Sequence, residues 1–350
     1  MKQITTIAID LAKHVFEVVA EDARGEEQWH RRLRSRAALE SYIATLQGPL
    51  IVGLEAGLGA QAWARRLQAQ GVTVRVLPAQ RVADHRSGAK NDLNDARAIL
   101  RALRDRTIHP VPVKTVEQLT MQAVHRVRSG WMSRRIAVSN QLRGLLLEQG
   151  IAVARGDAAL EHALRQILSG AHSPLPERLH TLLSEVAGEW HGLKQRLEAI
   201  NAQLQAMARE DATACRLCTV PGIGPVIATA LVCKGLDPTR FRDARQLAAY
   251  LGLVPEQHSS GAKIRLGRMS RRGDGYLRSA LIEGAHAVLR QSRADSTDAL
   301  SQRLQHWKQR HGAKGAAVRL ANHNVRVVWS LLHAQTVYRA PTTREALAIP

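Results

Sequence analysis

The stretch "TTIAIDLAKHVFEVVAED", residues 5–22, decides the fold of the first part of the chain. Apolar residues alternate with small polar ones up to Asp10, which is typical of a strand that ends in an acid. Apolar residues then resume, and this predicts either a second strand or a bend. The segment "EQWHRRLR", residues 27–34, can pair with that strand as a hairpin.

Outward from this stretch, apolar strand patterns alternate with helical ones. We predict helices at 37–46, 60–70 and from 90, and strands at 49–55 ("PLIVGLE") and 72–78 ("VTVRVLP"). Alternating strands and helices predict an α/β domain with a largely parallel sheet, covered on both faces and carrying an antiparallel edge. In such sheets the functional crevice lies beyond the carboxyl ends of the strands.

From about residue 116 the pattern is helical. Between residues 179 and 207, apolar residues recur at alternating steps of four and three, which indicates a long helix in a coiled coil. Its partner is either the helix around residues 119–147 of the same chain or the same helix of a second subunit. Sequence alone leaves both alternatives open.

The C-terminal part is mainly helical and rich in glycine and arginine. Within "VPGIGPVIATAL", residues 220–231, Gly222 and Gly224 separate two apolar helical segments, as in a helix-hairpin-helix motif. Glycine backbone amides can approach a phosphate closely. The alternative is an ordinary glycine-rich junction between helices. We expect residues 294–350 to contain helical stretches and to end in a loose tail.

The charge of the chain indicates the class of partner. Lys and Arg number 50 against 30 Asp and Glu, a formal net charge of +20 over 350 residues, so the chain should attract a polyanion, by default nucleic acid. The longest apolar run, residues 226–233, is too short to span a membrane, and the N-terminus has no signal-peptide pattern. We therefore predict a cytoplasmic protein without a membrane partner. The three cysteines are expected to be buried reduced thiols.

Acidic residues are placed unexpectedly for so basic a chain. Asp92 and Asp95 are helical neighbours within "KNDLNDARAI", while Asp10 and Glu55 each stand near the carboxyl end of a predicted strand. One interpretation is that Asn91 or Asp92 caps the helix and that Asp95 lies in its first turn. The other is that the four carboxylates converge on hard divalent cations, of which Mg²⁺ is the usual one where phosphates react.

The order Asp10, Glu55 and then the motif at residues 90–96 resembles the DEDD transposases of bacterial insertion sequences. The segments "VPGIGPVIATALV" and "FRDARQLAAYLGLVPEQHSSGAKIRLGRMSRRGDGYLRSALIEGA" resemble that family's second domain, so the resemblance covers residues 5–103 and 218–288. It implies a ribonuclease H-like (RuvC-like) first domain whose four acids hold Mg²⁺ (or Mn²⁺). It also implies a DNA recombinase guided by an RNA from its own element.

The segment "HSSGAKIRLGRMSRRGDGYLR", residues 258–278, contains two adjacent serines, which are followed by a glycine and several basic residues. On its own this pattern is more typical of a phosphate-contacting turn than of a nucleophile. The resemblance implies that a serine here attacks DNA and forms a phosphoserine link; Ser260 fits best and Ser259 is the alternative. Tyr276 and Tyr250 are weaker nucleophile candidates, and Tyr250 is interpreted as a core residue. Residues expected to bind nucleic acid are Lys263, Arg265, Arg268, Arg271, Arg272, Arg278, Gly222 and Gly224.

These observations predict four segments: a RuvC-like catalytic domain (1–110), a helical coiled-coil segment (111–212), a transposase domain with the nucleophilic serine (213–335) and a tail (336–350). The expected partners are donor and target double-stranded DNA, a guide (bridge) RNA, and further copies in a dimer or tetramer at the bacterial nucleoid. Two alternatives are a resolvase-like endonuclease that uses activated water and a non-catalytic nucleic-acid-binding scaffold.

Overall fold

The computed structural model describes residues 3–45, 50–169, 175–258, 265–293, 296 and 298–340. The chain divides into two compact units, Met1–Thr115 and Val116–Pro350. The first is a mixed α/β unit and the second is mainly helical, so the α/β-plus-α class is confirmed. The finer division into three domains and a tail stays a prediction.

The elements of the first unit follow the predicted alternation. In chain order they are β1 (Ile4–Leu11), β2 (Phe16–Asp22), β3 (Glu27–Leu33), α1 (Arg36–Ala44), β4 (Ile51–Glu55), α2 (Ala60–Ala69), β5 (Thr73–Leu77), α3 (Ala79–Ala83) and α4 (Asp92–Arg104). Their five strands form one sheet in the order β3-β2-β1-β4-β5. Strands β1, β4 and β5 are parallel, whereas β2 runs antiparallel to both β1 and β3. This mixed sheet is consistent with a ribonuclease H-like domain.

Successive side chains of a strand point to opposite faces of the sheet, and each face packs in a core of its own. Ile7 and Ile9 pack in one core with residues of α1 and α2, such as Leu39 and Trp63. Ala8, which points the opposite way, packs in the second core with residues of α3 and α4. Both faces are therefore covered, as predicted.

Gly53 lets α4 approach the sheet closely. A Cβ atom at this position would overlap Leu103 Cδ1 and lie 3.0 Å from Ile99 Cγ2, both on α4. Any side chain at position 53 therefore pushes α4, and the acids at its start, away from the strands.

We expect Gly53→Ala to lower the free energy of unfolding of the first unit by about 1–3 kcal/mol, the usual cost of overpacking a core. Urea unfolding measures this change. Gly57→Ala is the matched control, because the nearest atom to its added Cβ is a backbone oxygen 3.9 Å away. Equal effects of the two substitutions would contradict the close approach of α4.

The second unit contains two helical clusters and a short hairpin. Its elements are α5 (Val116–Glu148), α6 (Asp157–Ser169), α7 (Glu177–Glu210), α8 (Ala212–Leu217), α9 (Pro225–Val232), α10 (Ala244–Tyr250), β6 (Pro255–Gln257), β7 (Leu266–Met269), α11 (Gly275–Gln291) and α12 (Ala299–Ala334). Strands β6 and β7 pair antiparallel. In the part of the chain that the structure describes, no helix has the length and hydropathy needed to cross a bilayer.

The heptad seam of α7 is buried within its own chain. Leu183, Trp190 and Leu193 pack in one core with residues of α5 and α6, and Leu197, Ile200 and Leu204 are also buried. Of the two partners left open by the sequence, the structure therefore favours the helix of the same chain. Supercoiling of α5 and α7 stays a prediction.

Two packing expectations need correction. Tyr250 is 54% exposed because it is the last residue of α10, with its ring against Phe241, so its interpretation as a core residue is wrong. Cys233 is buried, but Cys215 near the start of α8 is exposed. The helical stretches expected within residues 294–350 are confirmed, because α12 extends over 36 residues, and residues 341–350 of the expected loose tail lie outside the described residues.

Candidate active site

Two of the predicted acids lie at one edge of the sheet and on one face of it. Asp10 is the penultimate residue of β1 and Glu55 is the last residue of β4. Asp10 shares the face of Ala8, and Glu55 shares the face of Gly53, which is the face that α4 covers. Because β1 and β4 are parallel neighbours, their carboxyl ends meet at the same edge.

Helix α4 supplies the other two acids from its first turn. Asn91 caps the helix, since its side-chain Oδ1 accepts a hydrogen bond of 2.8 Å from the backbone N of Asn94. Asp92 is the first helical residue and Asp95 follows on the same side. The capping interpretation is therefore confirmed for Asn91, with Asp95 in the first turn, and this cap uses neither the Asp92 nor the Asp95 carboxylate.

The pKa of Asp10 shows that the four carboxylates are electrostatic neighbours. The pKa of Asp10 is raised from 3.8 to about 6, first by burial and then by the negative charges of Asp95, Glu55 and Asp92. Burial and the charge of Asp95 likewise raise the pKa of Glu55, opposed by Arg86 and Lys90. Glu55, Asp92 and Asp95 therefore lie near enough to Asp10 to act on its charge, and a shared metal site of the four acids stays a prediction.

A fifth carboxylate joins them. Glu17 on β2 is the residue directly opposite Asp10, is buried, and also raises the pKa of Asp10. Glu17 is not among the predicted site residues, although the pairing of β1 with β2 implies it: with the turn near residue 13, Asp10 and Glu17 face each other.

Two arginines neutralise part of this negative charge. The Arg86 guanidinium forms an ion pair with Asp95, and the Arg32 guanidinium on β3 forms one with Glu17. Arg32 Nη2 also lies 3.6 Å from Asp92 Oδ2, so this side chain links Glu17 to the start of α4. Neither arginine was predicted, because their positions depend on strand register and on the segment between α3 and α4.

The donor set fits a hard divalent cation chemically. All its members are carboxylates, and the mutual repulsion that raises the pKa of Asp10 is what a bound cation relieves. Among the described residues, however, no three His, Cys, Asp or Glu side chains are grouped tightly enough to hold a metal ion, and Asp95 is engaged with Arg86. Binding a cation would therefore require Arg86 to release Asp95.

The predicted serine lies outside the described residues. Ser260, its alternative Ser259 and the basic residue Lys263 belong to the segment 259–264. The residues on either side of this segment are paired: the backbone N of His258 donates a 2.8 Å hydrogen bond to the carbonyl oxygen of Arg265.

The other predicted nucleic-acid contacts surround this hairpin. Arg265 and Arg268 are exposed, and Arg271 and Arg272 lie in the exposed turn that precedes α11. Arg278 differs from them, because its Nη1 donates a 3.1 Å hydrogen bond to the carbonyl oxygen of Arg272. Arg278 therefore stabilises this turn from within the fold.

The two glycines have different surroundings. Gly222 has a φ of +87°, and its Cβ would lie 3.0 Å from the carbonyl oxygen of Gly284 on α11, so packing alone requires glycine there. Gly224 precedes α9, and no heavy atom among the described residues lies within 4 Å of its Cβ position. A helix-hairpin-helix function remains a prediction, and Gly224 is the better candidate for a phosphate contact.

Tyr276 is a weak alternative to the serine as the nucleophile. Its hydroxyl hydrogen-bonds to Nδ1 of His125 at 2.9 Å, and burial raises its pKa. His125 is itself buried and bonds Thr229 through its other ring nitrogen. Tyr276 is thus part of an internal polar network and is poorly suited to attack DNA.

Comparison with known proteins supplies independent evidence. Residues 7–150 match the family model of DEDD transposases of the IS110 type, and residues 214–300 match that of transposases of the IS116/IS110/IS902 family. The chain is 44% identical to a probable family 20 transposase of Pseudomonas aeruginosa, over 96% of this chain and 99% of the relative. It is 35% identical to the transposase for insertion sequence element IS1111A of Coxiella burnetii, over 97% and 92%. It is 33% identical to the transposase for IS1328 of Yersinia enterocolitica, over 97% and 99%.

The acids at the sheet edge and the two matched regions occur in the order that the sequence predicted. The chain therefore belongs to the IS110 family of insertion-sequence transposases and is a DNA transposase.

Proposed function

We propose that the protein is an RNA-guided DNA recombinase that cuts and rejoins strands through a covalent phosphoserine at Ser260. The observation that supports the proposal is that Glu55, Asp92 and Asp95 lie near enough to Asp10 for their charges to raise its pKa, in a chain with a formal charge of +20. Arg86 and Arg32 compensate Asp95 and Glu17, and the negative charge that remains on the cluster suits a divalent cation and, through it, a phosphate.

In the proposed reaction the Ser260 hydroxyl attacks a DNA phosphorus and loses its proton. The P–O bond to one strand breaks, and that strand leaves with a hydroxyl end. A hydroxyl of another strand then attacks the phosphoserine and restores the serine. Each bond broken is matched by one formed, so strands are exchanged without an external energy source.

The acids would hold Mg²⁺ or Mn²⁺, with Asp10 and Glu55 on the strands and Asp92 and Asp95 on α4. When bound, such an ion stabilises the charge on the phosphate oxygens during the exchange. Glu17 and Arg32 would position Asp92, because the ion pair between them holds the Arg32 guanidinium near the Asp92 carboxylate.

The guide RNA and the assembly are further parts of the proposal. Only 12 residues are aromatic, so phosphate contacts rather than base stacking must supply most of the affinity. An RNA that reads DNA by base pairing explains abundant basic charge without a groove-reading motif. We also propose a homo-oligomer acting at the nucleoid in the cytoplasm, joined by surfaces other than the buried seam of α7.

A denaturing trap tests the covalent step. The protein, with its co-purified RNA and Mg²⁺, is mixed with labelled DNA that spans the ends of its element, and the reaction is stopped in detergent. We expect a labelled protein–DNA adduct whose digestion leaves a phosphorylated peptide containing Ser260. Nicked DNA without an adduct would instead support the resolvase-like endonuclease, which uses activated water.

Sequencing of the co-purified RNA tests the guide. We expect one enriched transcript, encoded next to the transposase gene, with segments complementary to both donor and target DNA. Recovery of only abundant cellular RNAs would contradict RNA guidance and would leave the covalent step untouched.

A further inference from the structure

A second feature of the helical unit shares only Arg268 with the residues predicted to bind nucleic acid. A cleft of about 640 Å³ opens between the β6–β7 hairpin and α12. Its volume falls within the range of pockets that bind small molecules or single nucleotides.

A break in α12 shapes this cleft. Gly312 has φ +69° and ψ 170°, which interrupts the helix, and the cleft is lined from both sides of that break. Gly315 lets the helical segments before and after the break approach each other, since a Cβ added at this position would lie 2.7 Å from His311 Cβ. The sequence "HGAKG", residues 311–315, therefore encodes a concave surface.

The lining of the cleft is strongly cationic. None of the described residues that line the cleft is acidic. Five of them are basic: Arg268, Arg303, Lys314, Arg319 and Arg326. Within the described part of the chain, Arg268, Lys314, Arg319 and Arg326 form no ion pair with a carboxylate. Burial, together with Arg303 and Arg326, lowers the pKa of the lining residue His323 to about 4. So much uncompensated charge in a concavity favours a polyanion.

An aromatic ring lies among these cations. Trp307 is half-buried, lines the cleft, and has the Arg303 guanidinium 5.7 Å from its ring centroid. Proteins that bind single-stranded nucleic acid combine a basic groove with an aromatic ring on which an unpaired base stacks. A base within a duplex has no free face for such stacking.

We propose that this cleft binds an unpaired segment of a nucleic-acid strand, with the phosphates on the arginines and one base on Trp307. Arg268 belongs to β7, and the hairpin it helps to form flanks the segment 259–264 that carries the candidate serine. The cleft would thus hold unpaired nucleotides next to the hairpin. This assignment rests on the proposed function only in requiring that the protein binds nucleic acid.

Binding of short oligonucleotides by the full-length protein tests the proposal. The probes are fluorescein-labelled oligo-dT and oligo-rU of about 12 nucleotides, within the site sizes of single-strand binders, and a duplex of equal length. Fluorescence anisotropy is measured in EDTA over a salt series, so that neither metal nor strand cleavage affects the result. Failure of the covalent trap would therefore leave this measurement intact.

We expect Trp307→Leu to weaken oligo-dT or oligo-rU binding by roughly 5- to 100-fold, the range of one lost stacking contact, and to affect the duplex much less. Trp307→Phe keeps a ring and should retain most of the affinity. The double variant Arg319→Gln/Arg326→Gln should make the plot of log binding constant against log salt concentration less steep by roughly 1.4, since each single-strand phosphate contact contributes about 0.7 to the steepness.

The matched control is Lys308→Gln/Arg310→Gln, which removes two charges from the same helix outside the cleft. Circular dichroism melting verifies that each variant is folded. The proposal is overturned if the cleft variants bind like the control, or if duplex binding falls as much as single-strand binding. A preference for oligo-rU identifies the strand as RNA, and a preference for oligo-dT identifies it as DNA; either supports the cleft.

Discussion

Replacing Asp10 with asparagine should reduce DNA strand cleavage by on the order of 10³-fold or more and, in the same protein, increase folding stability at neutral pH. The loss of activity follows because Asp10 lies beside the other predicted acids, whose charges raise its pKa, and would supply a charged oxygen to the metal. The gain in stability follows because its charge is unfavourable in the metal-free fold.

The sign of the pH effect follows from the raised pKa. Between pH 3.8 and about 6 the folded protein keeps the proton of Asp10, while the unfolded chain has lost it. This contribution to stability is therefore complete below about pH 4, falls as the pH rises through 6, and is absent above it. Discounted for partial exposure, the change is roughly 1–3 kcal/mol. The asparagine side chain does not ionise, so the variant should lack this decline.

Urea unfolding in EDTA between about pH 4 and pH 7, followed through hydrogen exchange of the β1 and β2 amides, measures the effect on the first unit. Asp84→Asn is the control, because Asp84 is an exposed acid that pairs with Arg81 outside the cluster. Addition of Mg²⁺ should stabilise the wild type more than the Asp10 variant. A parallel decline of stability with pH in both proteins would show that Asp10 is not held among like charges.

The sequence was informative about the fold wherever periodicity decides it. The alternation around Ile7 and Ile9 and the apolar run ending at Glu55 predict strands, and their parallel order predicts a common edge for Asp10 and Glu55. These features depend on the period of a strand and on the parallel pairing of neighbours, both of which are visible in one sequence.

Features that depend on register or on tertiary packing were not predictable in the same way. Glu17 and Arg32 reach the site only through the pairing of β2 with β1 and β3, and Arg86 reaches it through the connection between α3 and α4. The seam of α7 fits a partner in its own chain or in another chain equally well. The cleft beside α12 depends on how the helix bends at Gly312.

Replacing Ser260 with alanine should abolish the covalent protein–DNA adduct and lower the rate of strand exchange by more than roughly a thousandfold, while DNA binding is preserved. Removing the oxygen that forms the bond to phosphorus removes the covalent route entirely, as loss of a nucleophile does in other covalent enzymes. The hydroxyl is expected to contribute little to binding, because the basic residues around the hairpin are the proposed phosphate contacts.

Ser259→Ala is the matched control, since it removes the same group one position away and leaves Ser260 in place. The rate of product formation, the yield of adduct in detergent and the Kd for DNA are measured for both variants and for the wild type. An adduct that survives in Ser260→Ala but disappears in Ser259→Ala would move the nucleophile to Ser259. Full strand exchange in the double variant would exclude both serines as the nucleophile. Nicked DNA without strand exchange in the double variant would instead point to water activated at the acids, since hydrolysed strands cannot be rejoined without an external energy source.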